Sequence, residues 1–300
     1  GVATPVGTPP NLIALGFLER QAGRTIDFFP FMSLGVPMAL ALTAMMVLIV
    51  RYIAPAPGSG ADVRSYVRSE RAAQGRWGSG QYACAFAFGL AVLLWIFPGL
   101  VALFGADPQS AAGRVAARLD EAVVAVVAAS VLFAWPVGDT RALTWEDGQR
   151  IDWGTLLLFG GGLSLGKAMF DTGLAATLGR GVVQATGVET LWGLVALALA
   201  TTIVLTETAS NVATVSMLAP LVLALAREIG VPQLPPLLAV MFGASMGFMF
   251  PVGTPPNAIV YGTGLVPITT MIRVGVVVDI LGYFVILAVL RVMCPLLGFL

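Results

Sequence analysis

The sequence predicts an all-α, multi-pass membrane protein whose helices include broken ones in two related halves, and three observations carry that prediction. Hydrophobic residues make up 58% of the 300 residues and charged residues 11%, with a mean hydropathy of +0.91; a soluble domain carries about a quarter charged residues. Several apolar windows reach the roughly 20 residues that cross ~30 Å of hydrocarbon. The heptamer Pro-Val-Gly-Thr-Pro-Pro-Asn occurs twice, at Pro5–Asn11 and at Pro251–Asn257, 246 positions apart, and each copy is followed five residues past its Asn by a glycine, Gly16 or Gly262. A double proline breaks a helix, because neither ring nitrogen donates and each ring crowds the preceding turn. Two such breaks in so apolar a chain read as one unwound membrane helix present in two halves, the pattern of an inverted-repeat transporter.

Composition also removes alternatives. Net charge is +0, with no basic tail or aromatic-interleaved patch, which argues against nucleic acid as a partner. The chain has no His, so His proton relays, His metal ligands and Ser-His triads are excluded, and its acids do not fall at metal-ligand spacing. A membrane-embedded enzyme and a resident cofactor are therefore set aside. A channel built on half-helices meeting at Asn turns lacks a repeated Asn-Pro-Ala-like turn. Cys84 and Cys294 lie alone inside apolar stretches and read as small buried hydrophobes rather than a disulfide or metal pair.

The elements follow in order. Residues 1–20 carry the first break and the short helix after it, and Leu34–Tyr52 is one span. Pro55-Ala-Pro-Gly-Ser-Gly60 opens a polar loop, cytoplasmic by its arginines Arg64, Arg68, Arg71 and Arg76. The first three of these lie three and four apart, as on a helix at the membrane surface. Gln81–Phe104 crosses outward, Gly105–Glu121 is mixed and polar, Ala122–Pro136 returns as a short span, and the charged stretch Asp139–Asp152 is then cytoplasmic. The segment from Trp153 through Gly160–Gly162 and Gly166 is too glycine-rich for an ordinary span, and its glycines suit close backbone approach. Lys167 and Asp171, four apart, suit an ion pair.

Two apolar arms, Trp192–Leu205 and Met217–Ala226, flank the polar run Thr206–Thr214. At about 14 residues each arm is too short to cross alone. A helix, a polar tip and a returning helix describe a re-entrant hairpin, whose tip survives at depth only where buried in protein or lining an aqueous cavity. Pro235–Val266 exceeds one span and resolves at Gly253–Pro256 into two half-helices; Gly275–Leu290 is the final span.

The chemistry concentrates at the interruptions. Ser210-Asn211 in the tip and Gly253-Thr254-Pro255 in the break supply hydroxyls, amides and freed carbonyls. Carbonyls of unwound backbone suit a hard cation such as Na⁺, whereas helix amino ends offer N–H groups and a positive dipole end to an anion. Glu207 is placed to brace the tip by accepting backbone N–H bonds, or to serve an ion or proton directly. Asp279, deep in the final span, is expected to make a bundle-facing hydrogen bond.

The run Thr206-Glu207-x-x-Ser210-Asn211-Val212-Ala213-Thr214, followed by Pro251–Asn257, resembles the divalent anion/sodium symporter family of dicarboxylate, citrate and sulfate transporters. Phe159-Gly-Gly-Gly-Leu-Ser-Leu-Gly-Lys167 is similar to that family's segment before the hairpin, and the resemblance covers essentially the whole chain. It implies a multi-pass protein of the bacterial inner (cell) membrane. It also implies a homodimer, with a scaffold domain at the interface and a transport domain moving as an elevator. It implies Na⁺-coupled symport of small di- or tricarboxylates such as succinate; a Na⁺-independent dicarboxylate or citrate exchanger and a sulfate transporter are the alternatives on the same fold.

On the family pattern, one Na⁺ site maps to Thr206, Ala209, Asn211 and Gly253, and a second, partial one to Gly7. Substrate carboxylates would meet Ser210, Asn211, Thr8, Pro9, Thr254 and Pro255. The chain would divide into residues 1–32, the end of the first-repeat transport region; 33–135, scaffold spans with a linker at 54–80; and 136–300, the second repeat. That repeat would hold the hairpin at 190–228, the broken helix at 235–266 and the final span at 273–297. Two departures stand out. Val212 replaces a frequent Thr and removes one hydroxyl. The first Ser-Asn tip, set back by the repeat distance, falls near position −36, so the chain reads as amino-terminally truncated.

Overall fold

The computed structural model describes residues 1–53, 60–105, 107, 109–151, 153–251 and 253–300. The Pro55–Ser59 part of the expected loop, Val252 of the second heptamer and Asp152 lie outside the described residues, as does the Arg64 side chain. The chain is helical almost throughout and forms two compact units, residues 1–55 with 154–300 and residues 56–153.

The smaller unit begins with helix α3 (Gly60–Gln74), in the place expected for a surface helix. Helix α4 (Ser79–Leu103) packs against α6 (Glu121–Ala134), with the short α5 (Ala111–Ala116) between them in sequence. The α4–α6 seam is built on small residues, Ala87, Ala91 and Ala128, which let the two backbones approach. The Trp95 indole closes it by donating to Glu121 O at 3.0 Å. After α6 comes an antiparallel two-strand turn that the sequence reading lacked: β1 (Pro136–Val137) pairs with β2 (Thr140–Arg141). Gly138, at φ 58°, takes the left-handed position that this tight turn requires. Helix α7 (Trp145–Gly148) follows, capped by Thr144, whose hydroxyl donates to Asp147 at 2.6 Å. That bond holds the exposed Asp147 carboxyl below its ordinary pKa.

The larger unit holds the interruptions. A 3₁₀ turn at Pro5–Gly7 leads into α1 (Pro9–Phe17), which continues as a π-helical turn over Leu18–Ala22. Helix α2 (Phe28–Ile53) lies along α14 (Ile268–Leu296). Helices α8 (Trp153–Asp171) and α9 (Leu174–Thr186) precede the hairpin pair α10 (Leu191–Thr208) and α11 (Asn211–Glu228). Helix α12 (Leu234–Gly243) and helix α13 (Pro255–Gly262) are the halves of the second broken helix. The core is formed by α1, α2, α10, α11, α12 and α14 around side chains such as Phe17, Phe31, Leu199, Leu223, Phe242 and Ile286.

The glycine-rich segment is one continuous helix, α8, and, as its composition led us to expect, it is not among the candidate spans. Gly162 and Gly166 earn their place by contact: a Cβ on Gly162 would stand 2.8 Å from Ser216 Cβ, and one on Gly166 2.6 Å from the Phe17 ring. The hairpin arms are 18 residues each rather than about 14, near 27 Å at ~1.5 Å per residue. Their length therefore does not force the tip into the bilayer. Cys294 is buried, but Cys84 is exposed on α4.

Among the described residues, five helices are long and apolar enough to cross a membrane: α2, α4, α10, α11 and α14. Exposed Phe86, Phe88 and Leu93 on α4 would be liabilities in water; on a span they are the surface that meets lipid.

Candidate functional site at the hairpin tip and the second break

The double prolines do not interrupt a helix midway. In both copies they are its first two residues, Pro9-Pro10 of α1 and Pro255-Pro256 of α13, where the missing N–H would have had no partner in any case. The break itself lies upstream, from Ala244 to Thr254, and is longer than the Gly253–Pro256 interval expected.

The heptamer's last residue closes each break in the same way. Asn257 Nδ2 donates to Gly247 O at 2.9 Å and to Phe250 O at 3.1 Å, ten and seven residues upstream. Asn11 Nδ2 donates to Gly1 O at 3.1 Å and Thr4 O at 2.9 Å, at the same two offsets. Gly253 N and Gly7 N each reach back three residues, to Phe250 O and Thr4 O. The repeat is thus one of hydrogen-bonded geometry as well as of letters.

Hairpin and break converge on an oxygen-lined space. The three atoms nearest a Cβ built on Gly253 would be carbonyl oxygens, Phe250 O at 3.5 Å, Thr206 O at 3.7 Å and Gly247 O at 3.9 Å. One on Gly247 would stand 3.2 Å from Thr206 O and 3.5 Å from Asn211 Oδ1. Thr206 Oγ1 lies 2.8 Å from Asn211 Oδ1 and 2.9 Å from Ala244 O, and its single proton can serve one of them at a time. Thr206, Asn211 and Gly253 therefore come together, with Gly247, Phe250 and Ala244 contributing oxygens that the sequence reading missed. The Gly243–Gly247 spacing was the available signal. Ala209 stands beside them as the extended residue ending α10.

The helix starts differ in what they offer. Ser210 caps α11 by accepting from Ala213 N at 3.1 Å, leaving the Asn211 and Val212 N–H groups at the helix end. Helix α13 has prolines at its first two positions and gives its third N–H to Thr254 Oγ1 at 3.4 Å. Thr254 and Pro255 therefore bring a hydroxyl and a dipole end, but not the backbone N–H groups expected there. Thr8 and Pro9 form the corresponding start of α1, which packs on α11. Val212 is half-buried against the core, so the hydroxyl it lacks is replaced by packing.

Glu207 is 2% exposed. It braces the break rather than its own tip, accepting from Phe248 N at 2.7 Å and from Met249 N at 2.9 and 3.1 Å. Asp279 is buried as expected, yet neither of its oxygens has the hydrogen bond assigned to it. Lys167 and Asp171 form their ion pair at 2.7 Å on the surface. A cavity of about 700 Å³ opens at the opposite end of α11 from Ser210, beside Arg20, Lys167 and Arg227.

An all-α chain with several apolar helices, paired helix breaks and oxygens converging between hairpin and break is a multi-pass membrane protein. The sodium:sulfate symporter transmembrane region matches residues 1–300, and the chain belongs to that family. The sodium-dependent dicarboxylate transporter SdcS of Staphylococcus saprophyticus is 32% identical over 98% of this chain and 56% of its own length. SdcS proteins of Staphylococcus aureus strains N315 and COL are 29% identical over 99% of this chain and 56% of theirs. The chain thus spans about half the length of the curated relatives it matches.

Proposed function

We propose that the protein carries small di- or tricarboxylate anions such as succinate across the membrane in symport with Na⁺. The observation that carries this reading is the convergence of oxygens at the two glycines of the break, the cation cradle: Phe250 O, Thr206 O and Gly247 O are the atoms nearest a Cβ on Gly253, and Thr206 O and Asn211 Oδ1 those nearest one on Gly247. A hard cation takes such carbonyl and amide oxygens. Thr206, Ala209, Asn211 and Gly253 are the proposed Na⁺ residues, and Gly7, held in the matching geometry, marks the second site.

The anion belongs at the adjoining helix starts. Ser210 and the first N–H groups of α11 act as donors, with the Asn211 amide, the Thr8 and Thr254 hydroxyls and the Pro9 and Pro255 helix ends around it. The cation's charge then offsets the carboxylate's, so binding one raises affinity for the other. The family name keeps sulfate as a second substrate reading, since donors at a helix start accept any oxyanion. A homodimer in the lipid bilayer, with the hairpin-bearing unit as the moving part, completes the proposal and rests on the family resemblance.

The test is labelled succinate uptake into proteoliposomes under an inward Na⁺ gradient against choline. Accumulation with Na⁺ alone supports symport. Uptake that ignores Na⁺ but rises with internal dicarboxylate replaces it with exchange, and uptake of sulfate alone replaces the substrate.

A further inference from the structure

The cavity at the far end of α11 takes no part in cation or anion binding at the hairpin tip. It lies wholly within the larger unit, between α8, the end of α11 and the π-helical turn after α1, and has a volume of about 700 Å³. Each of those three elements brings one cation to its lining: Lys167 from α8, Arg227 from α11 and Arg20 from the π-helical turn.

Acids answer these charges only in part. Lys167 pairs with Asp171 at 2.7 Å. Glu228, next to Arg227 in sequence, lies 3.7 Å from Arg180 of α9 instead. Among the described residues neither Arg20 nor Arg227 has an ion-pair partner. The Arg227 guanidinium stands over the Phe170 ring, 5.3 Å from its centre, a contact that orients the charge without neutralising it. The lining therefore sets three cations against the single carboxylate of Asp171.

Helix α8 gives the cavity a direction. Its lining face runs Leu156, Phe159, Leu163, Lys167 and Asp171, at the three- and four-residue steps of one helix face. The first three are apolar and the last two charged. Leu156 to Lys167 covers about 16 Å at ~1.5 Å per residue, close to one leaflet's half of a ~30 Å hydrocarbon core. Leu157, Leu158 and Leu165 beside this face are exposed, as on a helix that meets hydrocarbon. A small soluble anion would engage the cations and leave the apolar half unmatched. An anionic amphiphile matches both halves.

We propose that the cavity binds an anionic phospholipid, with its phosphate between Arg20 and Arg227 and an acyl chain along Leu156, Phe159 and Leu163. Arginine suits the phosphate because its planar fork presents two parallel N–H donors to two oxygens. Lys167 adds a point charge at the rim. The bound lipid ties α8 to α1 and α11, which α8 approaches most closely at Gly162 and Gly166. The site shares no residue with the hairpin tip or the break, so it stands or falls independently of the sodium reading.

Native mass spectrometry of the purified protein, released from detergent with phosphatidylglycerol or with phosphatidylcholine of the same chains, tests the site. Wild type should retain phosphatidylglycerol several-fold more tightly. Arg20→Gln and Arg227→Gln should each lose about five-fold of that preference. Arg273→Gln, exposed on α14 and outside the cavity, should lose none. Equal retention of the two lipids by wild type, or an equal loss in Arg273→Gln, overturns the proposal.

Chain-free glycerol phosphate separates the two sources of a phosphate. If it displaces phosphatidylglycerol as well as the lipid itself does, the site belongs to a soluble anion and the lipid assignment falls. Should the arginine variants fail to fold, phosphatidylglycerol with a photoreactive diazirine in its chain is cross-linked to the wild type. Label on residues 156–163 of α8 supports the site, and label on other helices with none on α8 removes it.

Discussion

Asn11 and Asn257 hold two carbonyls apiece through a single side-chain amide. The amide supplies two donors from one planar group, which Asp and Ala lack. Asn257→Ala is expected to cost about 1–3 kcal/mol, at about 0.5–1.5 for each bond lost, and to lower the thermal midpoint while weakening stabilisation by Na⁺. A midpoint within error of wild type would mean that the break holds itself. Gly275→Ala tests the approach of α14: the added methyl meets backbone atoms of Met249 that cannot turn aside, and overpacking of this kind costs about 1–3 kcal/mol. Its measurement is the same melting curve, with Gly262→Ala, which meets nothing within 4 Å, as the neutral companion. The heptamer's glycine and threonine draw their proposed cation and anion roles from the family resemblance. The work of its asparagine was not legible in the sequence, because a side chain bonding seven and ten residues back leaves no local pattern.

At the scale of elements, the hairpin and the broken helix were legible because polar interruption of an apolar run is a strong signal. Their limits were less so. The arms grew to 18 residues because Thr206, Glu207 and Thr214, polar in a sequence profile, are helical and buried against α12 and the break. The break moved upstream because the prolines start a helix more readily than they stop one. The β1–β2 turn went unseen, although Val-Gly-Asp-Thr carries its left-handed glycine in plain view.

The hairpin yields a paired prediction. Ser210→Ala removes both the α11 cap and a donor to the anion, so it should cost about 1 kcal/mol of stability and weaken substrate affinity beyond what that loss explains. Asn211→Ala leaves that cap in place but takes an oxygen from the cradle, and should abolish Na⁺-driven uptake at normal expression. Equal uptake by Asn211→Ala and wild type would remove the tip from the site.

For the whole molecule, composition alone established the membrane class, since 11% charge cannot cover a soluble surface of this size. Which apolar faces meet lipid and which meet protein was beyond the sequence, because both solvents select the same residue types. The two thiols report on this directly. A membrane-permeant maleimide should label Cys84, exposed on α4, and spare Cys294, buried on α14; mass spectrometry showing two labels on the folded protein would contradict the packing of α14.

The fastening of the second break has a kinetic corollary. Asn257 from the half-helix beyond it, and Glu207 from the neighbouring hairpin arm, fix the cradle's backbone through four donor–acceptor pairs that involve no ion. An arriving Na⁺ therefore finds its oxygens already in position, and the chain gives up little disorder to receive it. Ion entry should run at the pace at which the ion sheds its own water, and amide exchange at Phe248, Met249 and Gly253 should be nearly as slow without sodium as with it.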